Sequence, residues 1–528
     1  MIRRRFLIGT AFVVLFGLGW WAGHSSSRTV YADLDLFVDV LTQVQQNYVD
    51  PVDSQKIVQG AIHGLVHQLD PFSQYLDAPA LANLQTVTTG EFGGIGVLVA
   101  EREHFPTVIS PIEGTPAWEA GMRAGDVITD IGGKSAEGLS ADDVAQRLRG
   151  DPGTRVTLTW RREGEDEPHT VTLERRKIEV RPVPYAFLLD QGVGYVRLAS
   201  FSEQTGAEVR DAVERLRAQG AKSLVLDLRG NPGGLLDQAV DVVSEFVPKG
   251  KLVVYTKGRY KPRDQKYYAD QARPELGWPM VVLVDEGSAS ASEIVAGALQ
   301  DLDRALVVGR TSFGKGSVQD VFPIRGERAA LKLTTALYYT PSGRSIHKKA
   351  NAAPDSADDD EDDDATPAPA PASPKSKPIF HTASGRVVYG GGGITPDVEV
   401  PPDTLTGLAR AVDSRNLAFR FVNRWLNTHP EARTVPWDPF VAWLREQKVA
   451  IAPGEPERQR DTLERLLARE LAMRTGGMAA WARVTLGSDP VMAHAEAVLD
   501  RARRPGDVFA LSRTAPRATL GRREPAYR

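Results

Sequence analysis

The chain has 528 residues, with 64 Lys and Arg against 68 Asp and Glu, a net charge of −4 and no cysteine. Its length exceeds the roughly 100–200 residues of an ordinary domain, so several domains are expected. A near-neutral charge argues against a protein devoted to nucleic-acid binding, and the absence of cysteine excludes disulfides, thiolate metal sites and a cysteine nucleophile.

The N-terminus has the pattern of an export signal. Arginines at positions 3–5 precede a charge-free apolar run over residues 6–22. A small-residue cleavage site is available at Val30-Tyr31-Ala32, but a run of this length also fits an uncleaved membrane anchor. We interpret residues 1–32 as a signal peptide or signal anchor, which predicts a periplasmic or cell-envelope protein, held at the inner membrane through residues 6–22 if the signal is retained.

Residues 33–85 have apolar positions at helical spacing, which predicts a small helical N-terminal domain. His63 and His67 lie four residues apart on one predicted helix face, a spacing that can bind a metal. Position 64 is Gly, where the helix of a zinc peptidase would need Glu. We therefore predict no metal site and no cofactor, and a metallopeptidase lacks a convincing ligand set.

Residues 86–180 are a series of short β-rich runs with Gly turns and one helix over 140–148, which Ser140 caps. The segments SPIEGTPA at 110–117 and AGMRAGD at 120–126 resemble the PDZ domains of bacterial proteases. In such domains a peptide adds a strand to the sheet edge, and a Gly-x-Gly loop offers N–H groups to its terminal carboxylate. That loop is predicted at Gly94, Ile95, Gly96 and Val97.

Residues 181–402 alternate between strand and helix patterns. Strands are predicted at 192–201, 223–228, 279–285, 304–308 and 331–339, and helices between them at 205–218 and 235–246. Several of the strands are continuously apolar, as sheets buried on both faces require. The alternation predicts an α/β layer with a largely parallel sheet, in which function gathers at the carboxyl ends of the strands.

Two of these strand ends are unusual. The strand at 223–228 leads into RGNPGG at 229–234, and the strand at 279–285 leads into EGSASASE at 286–293, before a predicted helix over 294–302. A serine in the second turn would lie at a helix N-terminus, where the helix dipole and free N–H donors suit a developing oxyanion. A plain serine-rich helix cap explains the segment equally well.

A serine nucleophile needs a base. None of the nine histidines lies between residues 170 and 346, so a Ser-His-Asp triad has no obvious base. Lysine can serve instead when burial and neighbouring groups lower its pKa. Lys315 is flanked by glycines in an otherwise apolar segment, and Gln319 lies four residues further on, where its amide could orient the amine.

Together these segments resemble the carboxyl-terminal processing peptidases, also called tail-specific proteases. The resemblance spans about residues 48–400 and is carried by LDLRGNPGG at 226–234, SASASE at 288–293 and FGKGSVQ at 313–319, with YVDP at 48–51, LDP at 69–71 and GGITPD at 392–397. It implies a multidomain α/β protein, in which a crotonase-like protease core follows or contains a PDZ-like domain and is flanked by helical N- and C-terminal regions.

The resemblance also implies site residues. In the family the nucleophile is the middle serine of the run, and the base lysine follows 25 residues later; here 315 − 290 = 25 selects Ser290 with Lys315. Gln319 falls on the supporting glutamine, and Asp301 on an acid to which we assign a structural role. The implied oxyanion donors are the N–H of Ala291 and that of Gly233 or Gly234.

Two regions depart from the compact family pattern. An insertion at about 348–378 is rich in acid, Pro and Ala, which predicts disorder, and residues 403–528 form a helical region with a basic tail to which no chemistry is assigned. This region could pack on the core, mediate homo-oligomerisation or bind an accessory protein.

The chain is predicted to be a serine endopeptidase of exported proteins with unstructured C-termini. The alternative is a non-catalytic PDZ scaffold that binds C-termini.

Overall fold

The computed structural model describes residues 30–102, 104–163, 165–270, 277–325, 328–348, 377–401 and 403–514. The chain divides into two compact units, residues 1–75 and 76–528. In the first unit α1 (Val30–Asn47) and α2 (Ser54–His67) precede the short strand β1 (Gln74–Leu76), which begins at the end of this unit. The Asp53 carboxylate caps α2 by accepting the Gln55 N–H at 2.9 Å. The apolar run at 6–22 lies outside the described residues.

One of the two histidines of α2 packs against an aromatic ring. The His63 ring meets the Tyr75 ring edge-on, with centroids 5.3 Å apart. Within the described ranges, no group of three or more His, Asp or Glu side chains is arranged to hold a metal ion. In the same part of the chain, no helix combines the length and apolar character needed to cross a membrane.

The second unit begins with α3 (Ala78–Thr89) and a β-rich domain. Five of its strands form an antiparallel sheet in the order β3-β4-β5-β7-β8, with β6 beside β5, and β2 pairs separately with β9. The bounds are β2 (Glu91–Gly94), β3 (Val97–Arg102), β4 (Phe105–Pro111), α4 (Pro116–Glu119), β5 (Val127–Ile131), β6 (Lys134–Ser135), α5 (Ala141–Leu148), β7 (Arg155–Arg161), β8 (His169–Glu174) and β9 (Arg176–Glu179). The predicted cap of α5 is confirmed, because Ser140 Oγ accepts the Asp143 N–H at 3.1 Å.

The centre of the second unit is a six-stranded sheet in the order β10-β11-β12-β15-β16-β21. Its first pair is antiparallel and the other four pairs are parallel, so the predicted largely parallel sheet is confirmed. The strands are β10 (Tyr185–Leu188), β11 (Val193–Arg197), β12 (Ser223–Asp227), β15 (Met280–Val284), β16 (Leu306–Gly309) and β21 (Val398–Glu399). Three helices pack on one face: α6 (Thr205–Ala218), α7 (Leu236–Ser244) and α8 (Ala291–Asp301).

Four strands of the second unit form antiparallel pairs in a second sheet. It contains β13 (Leu252–Gly258), β14 (Lys266–Tyr268), β17 (Ser317–Pro323) and β18 (Ala330–Tyr339), and β18 pairs with both β13 and β17. The expectation that the strand at 331–339 belongs to the parallel sheet is therefore wrong. An apolar run specifies a buried strand but not the sheet to which it belongs.

The predicted disordered insertion lies almost wholly outside the described residues. The chain is described up to Lys348 and again from Lys377, after which β19 (Ile379–His381) and β20 (Val387–Tyr389) form a hairpin. The Gly393 N–H then donates to the Ile346 carbonyl at 2.8 Å. The two ends of the chain around the insertion therefore lie close together, so the fold continues across it.

The C-terminal region is helical, as predicted. Its helices are α9 (Gly407–Ser414), α10 (Leu417–Thr428), α11 (Trp437–Glu446), α12 (Glu455–Arg458), α13 (Arg460–Leu486), α14 (Pro490–Leu499) and α15 (Asp507–Leu511). The helix α13 is broken at Gly477, which has φ 66° and ψ −163°. Its first half joins α9, α10 and α11 in one apolar core, and its second half joins α14 against the open face of the central sheet. Of the roles considered for this region, packing on the core is the one that the structure shows.

Candidate active site

Two loops meet at the carboxyl ends of β12 and β15. The Gly230 N–H donates to Asp285 Oδ1 at 2.7 Å, and the Ala289 N–H donates to the Asn231 carbonyl at 2.9 Å. The RGNPGG loop and the serine-rich loop are thus held against each other at the strand ends where parallel sheets place their functional groups.

The three serines of the second loop have different environments. Ser288 is fully buried and its Oγ donates to the Leu228 carbonyl at 2.8 Å. Ser292 is also fully buried and its Oγ donates to the Asn231 carbonyl at 3.0 Å. Ser290 is only partly buried. Of the three hydroxyls, that of Ser290 is the one placed to meet a substrate.

Ser290 lies immediately before α8 in an unusual backbone conformation. Its φ is 55° and its ψ is −114°, a combination that L-residues rarely adopt. Strained backbone of this kind persists only where the surrounding structure enforces it, and it concentrates at functional sites. A serine on a sharp turn between a strand and a helix N-terminus also presents its hydroxyl outward.

The predicted oxyanion donors lie beside Ser290. A Cβ atom on Gly233 would be 2.7 Å from Ser290 Cβ and 2.8 Å from the Ala291 nitrogen, so the two loops are in direct contact there. The Gly233 N–H donates to Asn231 Oδ1 at 2.9 Å. Because that N–H is engaged within its own loop, the neighbouring N–H of Gly234 is the better second donor.

The loop between β16 and β17 brings Lys315 to the same place. The Phe313 N–H donates to the Ser288 carbonyl at 3.0 Å, and Lys315 itself is partly buried. The backbone of His347 also lies against this loop, since a Cβ atom on Gly316 would be 2.6 Å from the backbone nitrogen of His347. His347 directly follows the histidine-free stretch of residues 170–346. It is therefore the histidine to test as an alternative base.

Gln319 lies on β17, beyond a bulge between Val318 and Gln319. Its Nε2 donates to Ser317 Oγ at 2.9 Å and to Thr334 Oγ1 at 3.3 Å. These contacts fix the orientation of the amide and leave the acceptor Oε1 as the atom that would bind an amine. The role of Gln319 as the orienting residue stays a prediction.

Two buried polar side chains close to Ser290 and Lys315 were not among the predicted site residues. Glu293, in the first turn of α8, and Tyr338, on β18, are 0% and 1% exposed. Burial raises the pKa of the Glu293 carboxyl, against the effect of hydrogen bonds from Ser312 and three backbone N–H groups. Glu293 stood in the SASASE motif, where its position three residues after Ser290 also fits an ordinary helix cap.

Asp301 ends α8 away from the two loops, in a buried ion pair. Its Oδ1 lies 2.8 Å from a guanidinium nitrogen of Arg344, and the two side chains are 1% and 0% exposed. Its Oδ2 accepts the Ser342 N–H at 2.9 Å. These contacts agree with the structural role assigned to Asp301.

A second buried charge network lies behind the RGNPGG loop. Asp227 accepts hydrogen bonds from the Tyr195 hydroxyl at 2.7 Å and from Arg229, which also pairs with Asp489 at 2.5 Å. Burial acts to raise the pKa of Asp227, but the guanidinium groups of Arg229 and Arg197 outweigh it and hold that pKa below its ordinary value.

The predicted peptide-binding loop, residues 94–97, lies between β2 and β3. Gly96 has φ 74°, and a Cβ atom there would be 2.4 Å from the Thr115 side chain, so a larger residue does not fit. The side chain of Ile95 is 1% exposed and belongs to the domain core. Val97 begins β3, the edge strand of the sheet. Gly94, Ile95 and Gly96 could therefore contribute to binding only through their backbone.

Comparison with protein-family profiles gives three matches. Peptidase family S41 matches residues 192–357, the PDZ domain matches residues 107–162, and the activating protease CtpB N-terminal domain matches residues 22–80. The three matches follow one another along the chain and leave the C-terminal helices uncovered.

Curated relatives agree. The carboxy-terminal-processing protease of Bartonella bacilliformis is 43% identical over 326 residues, which are 61% of this chain and 74% of the relative. The carboxy-terminal processing protease CtpA of Bacillus subtilis is 35% identical over 328 residues, 62% of this chain and 69% of the relative. The solved structure of a photosystem II D1 C-terminal processing protease is 32% identical, with a TM-score of 0.35, and covers 59% of this chain and 89% of its own.

Proposed function

Because this chain belongs to the carboxy-terminal-processing proteases of peptidase family S41, and is a serine peptidase, we propose that Ser290 is its nucleophile and Lys315 its general base. The observation that carries the assignment is the contrast among the three serines. Ser288 and Ser292 are buried in structural hydrogen bonds, whereas Ser290 is partly exposed and strained at a helix N-terminus beside the Lys315 loop.

The proposed reaction follows serine-peptidase chemistry. Neutral Lys315 Nζ takes the proton from Ser290 Oγ as the oxygen attacks the scissile carbonyl. The N–H groups of Ala291 and Gly234 donate hydrogen bonds to the carbonyl oxygen as it becomes negatively charged, and the N-terminus of α8 adds a favourable dipole. Lys315 then passes the proton to the leaving amine, and water hydrolyses the acyl-enzyme. Gln319 orients the amine through Oε1.

We further propose that substrates are exported proteins with unstructured C-terminal tails. A tail would add a strand to the free edge of β3 in the PDZ domain, and its carboxylate would meet the N–H groups of residues 94–97. The N-terminal Arg-rich and apolar pattern supports activity in the periplasm or cell envelope.

The direct test measures cleavage of a short unstructured peptide by the wild-type protein and by single variants. We expect Ser290→Ala and Lys315→Ala to be inactive, and Ser292→Ala, the matched serine control, to cleave the peptide. Chelators and thiol reagents should leave the wild-type rate unchanged. His347→Ala should also retain activity. If His347→Ala were inactive while Lys315→Ala remained active, the base would be a histidine and not Lys315. Cleavage by Ser290→Ala at the wild-type rate would exclude the proposed nucleophile.

A further inference from the structure

One oxygen of Glu293 touches the backbone of both proposed catalytic residues. Its Oε2 accepts the Ser290 N–H at 2.9 Å and the Lys315 N–H at 2.9 Å. Its other oxygen, Oε1, accepts Ser312 Oγ–H at 2.5 Å and the Gly314 N–H at 2.8 Å. The carboxylate therefore joins the first turn of α8 to the loop that carries the lysine.

Tyr338 makes the corresponding contact with the two carbonyl groups. Its hydroxyl lies 3.0 Å from the Ser290 carbonyl oxygen and 2.5 Å from that of Lys315. Thus the N–H groups of Ser290 and Lys315 meet on one carboxylate oxygen, and their C=O groups meet on one hydroxyl. The two side chains come from α8 and from β18, which belongs to the other sheet.

Local helix capping explains only part of this arrangement. A Glu three residues after a cap serine commonly accepts the N–H of that serine. Capping does not explain why the same oxygen also accepts the N–H of Lys315, which lies 22 residues after Glu293. Nor does it explain why Tyr338, from another strand, contacts the carbonyl groups of both Ser290 and Lys315. A buried carboxylate is also costly unless its hydrogen bonds are satisfied, and here all four bonds to Glu293 come from the serine and lysine loops.

We infer that Glu293 and Tyr338 are positioning residues, which together fix the backbone of Ser290 at a set distance from that of Lys315. The inference rests on the proposed Ser290–Lys315 pair. Proton transfer from Ser290 Oγ to Lys315 Nζ depends on the separation of the two side chains, and a misplacement of about 1 Å can reduce an enzymatic rate by about 100-fold.

Tyr338→Phe tests the hydroxyl alone, because the ring is kept. We expect kcat for a short peptide to fall about 10- to 100-fold, with KM within about twofold of wild type and the melting temperature little changed. The matched control is Tyr339→Phe, which removes the hydroxyl of the next residue on β18, whose ring stacks on Tyr255. The control should keep the wild-type kcat.

A second readout separates positioning from a purely structural role. The rate at which a small fluorophosphonate modifies Ser290 reports the reactivity of that hydroxyl without tail docking, and its end point counts the folded sites. In Tyr338→Phe we expect this rate to fall in parallel with kcat while the end point stays complete. A reduced end point with a normal rate per site would show that Tyr338 only supports folding, which would overturn the inference.

Glu293→Gln keeps the shape of the side chain but turns one of its oxygens into an amide donor that faces N–H or O–H donors. We expect a loss of fluorophosphonate reactivity at least as large as that of Tyr338→Phe. Glu245→Gln is the control, since Glu245 is also a buried carboxylate but pairs with Arg210.

Different outcomes test the catalytic pair and the positioning role. If Ser290→Ala or Lys315→Ala retains the wild-type rate, the catalytic pair itself is wrong. If both are inactive while Tyr338→Phe and Glu293→Gln keep wild-type kcat and fluorophosphonate reactivity, the pair stands and the positioning role is wrong.

Discussion

Gly233 lies where the RGNPGG loop meets Ser290, so one added methyl group there should remove activity. In Gly233→Ala the new Cβ would lie 2.6 Å from the Ala289 carbonyl oxygen and 2.7 Å from Ser290 Cβ, so the two loops must separate. We expect kcat to fall by at least about 100-fold, the effect of losing one oxyanion donor.

Gly220→Ala is the control for backbone strain. Gly220 has φ 92°, close to the 95° of Gly233, but a Cβ atom there meets nothing within 4 Å. Its kcat should therefore equal that of wild type, with only a modest loss of stability. Equal kcat values for the two variants would contradict the importance of the contact between the loops.

Part of the environment of Ser290 could be predicted from the sequence. The motif and the 25-residue spacing single out this serine and Lys315, but they do not predict its positive φ or the burial of the serines on either side. Those properties depend on contacts with the RGNPGG loop, about 60 positions earlier. Tyr338 had no sequence signal of its own, because an aromatic residue in an apolar strand ordinarily belongs to the core.

Asp227 makes stability depend on pH in the acid range. Its pKa is held below the ordinary value in the folded protein, so its charged form stabilises the fold above about pH 4, and this contribution is lost as pH falls through the lower, folded pKa. The melting temperature of Asp227→Asn should lie below that of wild type at pH 7, and the difference should shrink between about pH 4 and pH 2. A constant difference across that range would refute the assignment.

At the scale of elements, α8 is joined at its end to the segment after β18 by the Asp301–Arg344 pair. Removal of one partner of a buried ion pair typically costs about 3–5 kcal/mol, because the other charge stays buried and uncompensated. We expect Asp301→Ala to lower the free energy of unfolding by about that amount, measured by chemical denaturation. The double variant Asp301→Leu with Arg344→Met should lose less than Asp301→Ala. A larger loss in the double variant would show that the charges themselves stabilise the fold.

Most elements of the central sheet could be predicted from apolar runs and turn residues, and α6 has the predicted bounds, Thr205–Ala218. The errors have physical causes. Strand β21 is two residues long, too short for a periodic pattern, and it joins the parallel sheet after the insertion. Strand β18 has the composition of a core strand, but its pairing with β17 places it in the other sheet.

At the scale of the whole molecule, the C-terminal helices contact the PDZ domain as well as the central sheet. The Arg102 guanidinium lies 3.8 Å from the centre of the Phe419 ring, and a Cβ atom on Gly125 would be 2.9 Å from the Asn423 side chain. The sequence predicted these helices but not their contacts. An apolar helix face shows that the face is buried, but it does not show which part of the protein packs against it.

Phe419→Ala should loosen the PDZ domain from the helices. Phe419 is 8% exposed, so its truncation removes buried contacts worth about 3–5 kcal/mol as well as the cation–π contact. We expect faster hydrogen exchange in β4 and β5 and a changed KM for a substrate with a long tail, with no change for a short peptide. Tyr260→Ala, at a site 67% exposed, is the control. Unchanged exchange in β4 and β5 would show that this contact does not restrain the domain.

The break in α13 divides one helix between two cores. Its first half belongs to the bundle that contacts the PDZ domain, and its second half lies on the catalytic sheet. At φ 66° and ψ −163°, Gly477 occupies backbone space that is essentially reserved for glycine, so another residue cannot take this conformation without strain. The way in which one helix serves both the bundle and the sheet therefore depends on a single residue that has no side chain.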